Sequence, residues 1–296
     1  MVLRFDGEVV VITGGANGLG RSYALEFARR GAAVLVNDVG SAHQGLAAEP
    51  AAAQRVVEEI VAAGGIAAAN DVSVTSAHGG EAIIADALDR WGRLDVLIHS
   101  AGVMRDRTLA KLEFADLDAV LDVHLKGGFH VAQPAFRAMM TQPSGGRIVM
   151  TSSTSGFFGV FGQAAYAAAK GALTGLSRVM ALEGARYSIR SNAIVPVATT
   201  RLSRGADPGA SRPPEDVAQF VVALCHRSCA ATGMNFAAGG GWAGRMGVEV
   251  GPGFALPGGT AEDITANWDL VQRLGFEEMA DGFSIGPYID ERLHEG

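Results

Sequence analysis

Apolar and polar positions alternate along this chain in blocks of two kinds. Short continuous apolar runs, such as Val9-Val10-Val11-Ile12 and Ala33-Val34-Leu35-Val36, suit strands buried on both faces. Between them lie longer stretches with apolar residues at helical spacing. The first two strands are separated by a glycine-rich turn and a helix over 19–30 that Gly31 ends. Pro50 opens a second helix carrying Val56, Val57, Ile60 and Val61, with Gly64-Gly65 beyond its end. Strands are then expected at 66–69, 96–98, 147–151, 188–195 and 234–237, and helices at 81–91, 112–140 (one long or two consecutive, with Gly127-Gly128 inside), 164–186 and 214–226. Nothing repeats internally.

Strand–helix alternation at this spacing predicts right-handed βαβ units. The fold class expected is α/β: a Rossmann-type, doubly wound parallel sheet of about seven strands, helices on both faces, and a C-terminal helical appendage. Residues 1–243 read as one catalytic domain. Residues 244–296 read as an extension packed on that domain or on a partner subunit. The extension opens on a Gly/Pro-rich stretch and leads to a helix. There Thr260-Ala261-Glu262-Asp263 has the form of an N-terminal cap, and Ile264, Trp268, Val271 and Leu274 form an apolar stripe.

Composition narrows the class. The chain has 296 residues, 48% hydrophobic and 19% charged, with 40 glycines and a formal net charge of −7. It is too apolar for a disordered chain and too acidic overall for a general nucleic-acid binder. Glycine shows no three-residue period, which excludes collagen. Two cysteines, Cys225 and Cys229, cannot build a disulfide scaffold. They sit at i, i+4 and read as core thiols on a helix; no metal is expected. No uninterrupted apolar run of about 18 residues suggests a membrane span. The N-terminus lacks the apolar run of a signal peptide, and the C-terminus carries no targeting signal, so a soluble cytoplasmic protein is expected.

The first strand runs directly into Thr13-Gly14-Gly15-Ala16-Asn17-Gly18-Leu19-Gly20, and a helix follows. Such a turn lets backbone N–H groups approach a pyrophosphate closely, and the helix N-terminus adds a favourable dipole. Gly14, Asn17, Gly18, Leu19 and Gly20 are therefore candidate cofactor contacts. An acid, Asp38, stands immediately after the second strand. Its carboxylate can accept from ribose hydroxyls and repels a 2′-phosphate, which favours NAD over NADP.

Tyr166 and Lys170 stand at i and i+4 on one helix face. A cation beside a phenol favours the phenolate and brings the tyrosine toward acid–base work near neutral pH. Ser153 ends the fifth strand thirteen residues earlier, and Gly156, Gly159 and Gly162 suit a loop between them. A serine hydroxyl there can donate to a carbonyl oxygen. Spacing alone does not choose among Ser152, Ser153 and Ser155. All these candidates follow the C-terminal ends of predicted parallel strands, where ligands bind in such sheets.

Together, the glycine loop, Asp71-Val72, Ala101-Gly102, Ser153, Tyr166/Lys170 and 192–196 resemble the short-chain dehydrogenase/reductase superfamily over about residues 5–240. The resemblance implies that Ser153 is the catalytic serine, that Tyr166 is the acid/base, and that Lys170 orients the nicotinamide ribose and lowers the tyrosine pKa. It further implies cofactor contacts from Asp71, Val72, Ser100, Ala101, Gly102, Pro196 and Thr200. Further segments, among them Val36-Asn37-Asp38-Val39-Gly40, Val123-His124-Leu125-Lys126-Gly127 and Ala266-Asn267-Trp268, are similar to one branch. That branch holds the (3R)-hydroxyacyl-CoA dehydrogenase unit of peroxisomal multifunctional enzyme type 2 and its stand-alone bacterial relatives. The chain departs from the superfamily in three places. His99-Ser100-Ala101-Gly102 replaces Asn-Asn-Ala-Gly, His124 stands where a catalytic asparagine is usual, and Pro196-Val197 replaces Pro-Gly. A histidine at 124 is able to hold a proton-relay water.

The function expected is NAD-dependent interconversion of a secondary alcohol and a ketone, with a (3R)-3-hydroxyacyl-CoA as substrate. A hydroxysteroid dehydrogenase is the alternative, and a catalytically silent NAD-binding protein the remote one. Phe157, Phe158 and Phe161 are candidates for an apolar substrate wall. Arg105 and Arg107, and the loop arginines Arg201, Arg204 and Arg212, are candidates for CoA phosphates or for solvated loop charges. Relatives pair their two long helices, so a homodimer or homotetramer is expected, with Ala164, Ala168, Gly171, Ala172 and Gly175 as a small-residue face.

Overall fold

The computed structural model describes residues 2–40, 51–199, 212–247, 249–253, 255, 257–272 and the backbone of 277–278. It divides into two compact units, Met1–Arg245 and Met246–Gly296.

The first unit is built on β1 (Val9–Thr13), β2 (Ala33–Asn37), β3 (Ile66–Asn70), β4 (Val96–His99), β5 (Gly146–Thr151), β6 (Ile189–Pro196), β7 (Asn235–Gly239) and β8 (Trp242–Met246). These form one sheet in the order β3-β2-β1-β4-β5-β6-β7-β8, parallel from β3 to β7. The chain works outward from β1 to β3, then returns to add β4 on the other side of β1. That return makes β1/β4 the switch point, the place where loops part and a crevice opens above the strand ends.

The continuous apolar runs serve both faces. Val10, Ile12, Val34 and Val36 join α1 (Gly18–Arg29), α2 (Ala52–Ala62) and α8 (Pro214–Cys225) in one core. Val9, Val11 and Leu35 join α3 (Ala77–Trp91), α5 (Gly127–Met140) and α7 (Ala164–Gly184) in the other. Alternating side chains from one strand thus fill two layers.

Three expectations are corrected, and the choice between one helix and two over 112–140 is decided. An eighth strand exists: Gly240 and Gly241 both take positive φ (59° and 76°), which makes a two-residue hairpin turn into β8. Trp242, Ala243 and Arg245 on β8 are exposed, so no apolar period announced it. Helix α3 starts four residues earlier than expected, because Ser76 caps it by accepting from Gly79 N–H at 3.0 Å. Gly80 in its first turn lets α5 approach closely; a Cβ there would lie 2.1 Å from the His130 carbonyl of α5. Helical structure continues through Gly127-Gly128: α4 (Phe114–Leu121) runs into a π-helical turn, Asp122–Lys126, and on into α5. Lastly, α8 ends at Cys225, so Cys229 lies beyond it and the two thiols do not share a helix. Pro50 lies outside the described residues, and α2 begins at Ala52.

The second unit contains α9 (Ala261–Ala266) and α10 (Trp268–Val271), with β9 (Glu249–Val250) pairing antiparallel to β10 (Glu277–Glu278). Thr260 and Asp263 form a reciprocal capping box at the start of α9. Ile264, Trp268 and Val271 are exposed. Among the described residues, no helix is long and apolar enough to cross a membrane.

Candidate active site

The turn after β1 is shaped by close backbone approach. Gly14 has φ +68°, and a Cβ there would lie 2.7 Å from the Ala101 backbone; one on Gly20 would lie 2.0 Å from the Gly14 carbonyl. Only glycine fits either position. Asn17 heads α1 in extended conformation without a side-chain capping bond, so the first-turn N–H groups face the turn uncapped by it. Asp38 closes this pocket from β2: Oδ2 accepts from Ala16 N–H at 3.0 Å and Oδ1 from Gly40 N–H at 2.8 Å. The carboxylate is thereby fixed against the glycine turn with lone pairs to spare. Asn37, which the sequence did not single out, is buried. Its Nδ2 donates to Asn70 Oδ1 and to the Val72 carbonyl, both at 2.8 Å, and so ties Asp71-Val72 to the sheet edge. A cradle that any Cβ would fill, a helix N-terminus and a fixed carboxylate are the groups a dinucleotide requires.

The three serines after β5 differ in their partners. Ser152 Oγ donates to the Lys170 carbonyl at 2.8 Å, and Ser155 Oγ to Gln163 Oε1 at 2.7 Å. Ser153 Oγ accepts from Ser155 N–H at 3.2 Å, and its side chain is the group that favours the ionised Tyr166 phenol. It is the serine of the three whose side chain acts on the tyrosine. A short helix, α6 (Ser155–Phe158), stands where a plain loop was expected. One turn along α7 from Tyr166, Lys170 is almost fully buried, its Nζ 5.6 Å from the Tyr166 ring centroid. Nζ donates to the Thr151 carbonyl at 2.6 Å.

Burial governs the protonation of this cluster. It pushes the Lys170 ammonium down to about 7. It pushes the Tyr166 phenol up, opposed by the Ser153 side chain and reinforced by the Asp106 carboxylate. The lowering of the phenol that adjacency to Lys170 led one to expect is therefore not the dominant effect in this fold.

His99, at the end of β4, and His124, in the π-helical turn, are both buried. The His124 ring meets the Tyr166 ring edge to face, centroids 5.3 Å apart at 84°. Its Nε2 is 2.8 Å from the Val103 carbonyl, and its Nδ1 is buried without a partner. Gly102 makes room for this ring; a Cβ there would lie 2.4 Å from Cε1. Desolvation, then the Lys170 charge, holds His124 well below the ordinary histidine range.

Other candidates fall outside this cluster or stand at its rim. Arg105 and Arg107 both lie near Asp116, at 3.5 and 3.6 Å, rather than standing free for phosphates. Phe157 is half-buried, but Phe158 and Phe161 are 76% and 92% exposed, so they do not form a closed wall. Pro196 ends β6, and Thr200, Arg201 and Arg204 lie outside the described residues. Among the described residues, no group of His, Cys, Asp and Glu gathers to hold a metal.

A glycine cradle, a fixed carboxylate and a Ser-Tyr-Lys cluster along one edge of a parallel sheet define an oxidoreductase of the Rossmann type. The chain matches the short chain dehydrogenase family over residues 8–206 and belongs to it. It is 44% identical over 269 residues to peroxisomal multifunctional enzyme type 2 of Drosophila melanogaster, covering 90% of this chain and 44% of the relative. The structure of that full-length enzyme superposes with a TM-score of 0.82 at 36% identity, covering 99% of this chain and 50% of the other. The chain thus spans half or less of this relative. A protein named as a short-chain type dehydrogenase/reductase from Mycobacterium tuberculosis is 42% identical over 283 residues, 94% of this chain and 98% of the relative. A 7α-hydroxysteroid dehydrogenase solved with NADH and 7-oxo-glycochenodeoxycholic acid superposes with a TM-score of 0.71 at 26% identity, covering 80% of this chain and 95% of that one.

Proposed function

We propose that this oxidoreductase is NAD-dependent and interconverts a (3R)-3-hydroxyacyl-CoA and its 3-oxoacyl-CoA. The observation that carries the reading is Tyr166 set beside buried Lys170, whose Nζ lies 5.6 Å from its ring, with Ser153 acting on its phenol, at the strand ends that also hold the glycine cradle and Asp38. Gly14, Gly18, Leu19 and Gly20 hold the pyrophosphate and Asp38 accepts from the adenosine ribose, which excludes a 2′-phosphate. Asp71 and Val72 line the adenine, and Ser100, Ala101 and Gly102 the nicotinamide side. When bound, NAD accepts hydride from the carbinol carbon or, reduced, returns it.

The protein supplies the rest. Ser153 donates to the substrate oxygen and holds it within reach of Tyr166. In alcohol oxidation Tyr166, as phenolate, takes the hydroxyl proton while the C–H bonding pair leaves as hydride. In ketone reduction the neutral phenol gives the proton back. The raised phenol favours the second direction at low pH. His124 Nδ1, buried without a partner on the ring that meets Tyr166 edge to face, is the atom left to serve a proton relay.

The acyl-CoA assignment draws on relatives named multifunctional enzymes and hydratase-dehydrogenase-epimerases. The alternative, a steroid alcohol, is favoured by the bile-acid complex of the structural relative. Because Arg105 and Arg107 already meet Asp116, no CoA phosphate is assigned to them. The small residues Ala168, Ala172 and Gly175 are exposed on α7, which supports a homodimer or homotetramer through that helix. Purified protein supplied with NAD⁺ is expected to form NADH on 3-hydroxyacyl-CoA and to discriminate against NADP⁺. Turnover confined to steroid alcohols would replace the acyl-CoA reading, and NADH binding without turnover on either panel would overturn both.

A further inference from the structure

His99 lies fully buried between two parts of the site that no residue of the reaction joins directly. One end of its ring, Nδ1, is 2.9 Å from Thr13 Oγ1, where β1 enters the glycine turn. The other end, Nε2, is 3.0 Å from the main-chain carbonyl of His124 in the π-helical turn. The chemistry of the partners settles the direction of each bond. A carbonyl oxygen only accepts, so Nε2 carries the proton and donates. In a ring protonated there once, Nδ1 is an acceptor, so the Thr13 hydroxyl donates to it. Thr13 Oγ1 then has lone pairs left for the N–H groups of Ser100 and Ala101, each 3.3 Å away. Every atom in the chain has one role, and the opposite tautomer would set a lone pair against the His124 carbonyl. The ring packs over Gly128, where a Cβ would stand 3.4 Å from His99 Cδ2 and 2.9 Å from Leu173 Cδ2.

We propose that His99 is a positioning residue: with its proton on Nε2 it ties the glycine turn at Thr13 to the π-helical turn that carries His124, and so fixes the His124 ring against Tyr166. The inference rests on the dehydrogenase reading given above. A π-helical turn is a wide, weakly held stretch of helix that often sits at functional sites. Here the donor that pins it comes from the strand whose end also lines the cofactor pocket. His124 is then held at three points: its carbonyl by His99, its Nε2 by Val103, and its ring edge by Tyr166. A shift of the turn moves the His124 ring, and with it the face against which Tyr166 works.

Side-chain length separates the two ends of the ring. In His99→Asn the amide reaches Thr13 but falls short of His124, whereas in His99→Gln it reaches the His124 carbonyl; His99→Phe keeps the shape and loses both bonds. With saturating NAD⁺ and substrate, kcat is expected to fall about tenfold in the Asn and Phe variants, with KM for NAD⁺ changing less than about threefold, while Gln retains at least about half of the wild-type kcat. On a His124→Ala background the same Asn substitution is expected to cost less than about twofold, because the partner it positions is gone. An undiminished tenfold loss on that background, wild-type kcat in folded Asn and Phe variants, or a Gln variant as slow as Phe would each overturn the proposal. The imidazole ¹⁵N resonances give a readout that needs neither turnover nor a variant that folds well. Nε2–H is expected for His99 at pH 7, and a ring protonated on Nδ1 or on both nitrogens overturns the proposal. Wild-type protein that turns over no substrate defeats the dehydrogenase reading instead, and leaves the tautomer result to decide the connection between Thr13 and His124.

Discussion

Lys170 donates from Nζ to the main-chain carbonyl of Thr151 at 2.6 Å, across the gap between α7 and the end of β5. The bond holds the ammonium in a buried place beside Tyr166, where burial lowers its pKa from 10.5 to about 7. Burial of a cation with one neutral partner is destabilising. Between pH 7 and 10.5 the unfolded chain binds more protons at this lysine than the folded one, so its stability penalty is full below 7 and fades as pH rises toward 10.5. Lys170→Met is expected to melt higher than wild type at pH 7, with the gap closing by pH 10. Its kcat is expected to be lower by about 10²-fold or more, in line with loss of an acid–base partner. Thermal melts at several pH values, beside initial rates, check both parts.

Tyr166 carries the proton in the proposed reaction, and its phenol is raised by burial. Deprotonated tyrosine is then scarce near neutrality and increases with pH. Alcohol oxidation is expected to accelerate from pH 7 through 10, and ketone reduction to slow over the same interval. Tyr166→Phe is expected to lose about 10²–10⁴-fold in kcat in both directions with an unchanged circular dichroism spectrum. Full activity of that variant would remove Tyr166 from the mechanism.

Asp38 accepts from two backbone N–H groups, one of them in the glycine turn. Asp38→Ser removes the charge that repels a 2′-phosphate and loosens the turn. Charge-assisted bonds of this kind contribute about 1.5–3 kcal/mol. KM for NAD⁺ is therefore expected to rise at least about tenfold, while activity with NADP⁺ appears or increases. Paired KM measurements with the two cofactors settle the point.

Tyr23 is the largest fully buried side chain in the core between β1, α1 and α8, and its hydroxyl has no partner there. Burial pushes this phenol far up, with the Cys225 thiol adding to the shift. An unpaired buried hydroxyl costs about 1–3 kcal/mol. Tyr23→Phe is expected to leave stability unchanged or raise it by about 1 kcal/mol, without altering kcat. Denaturant midpoints at constant m-value test it, and a clear loss of stability would show that the hydroxyl is satisfied.

Much of this protein is legible in its order of residues, for physical reasons that act locally. Continuous apolar runs announce strands buried on two faces, so the sheet and the helices between its strands follow from periodicity. The glycine turn, Asp38 and the Tyr166/Lys170 pair are legible because each needs its residue types at short range: a backbone that must approach closely, a carboxylate after a strand, two side chains one helical turn apart. Other features were set only by contacts between distant segments. The strand β8 arose from a positive-φ glycine pair and carries little apolar period. The start of α3 is set by the Ser76 cap and by Gly80, where α5 lies against the backbone. Spacing leaves Ser152, Ser153 and Ser155 open; Ser152 and Ser155 are committed to Lys170 and Gln163, and Ser153 is the one that acts on Tyr166. Burial decided the protonation of Lys170 and Tyr166, and burial depends on what the whole fold places around a group. His99 shows the same division. Its position before Ser100 is plain in the sequence, but its two ring nitrogens acquire meaning only when β1 and the π-helical turn bring Thr13 and the His124 carbonyl to either side of it.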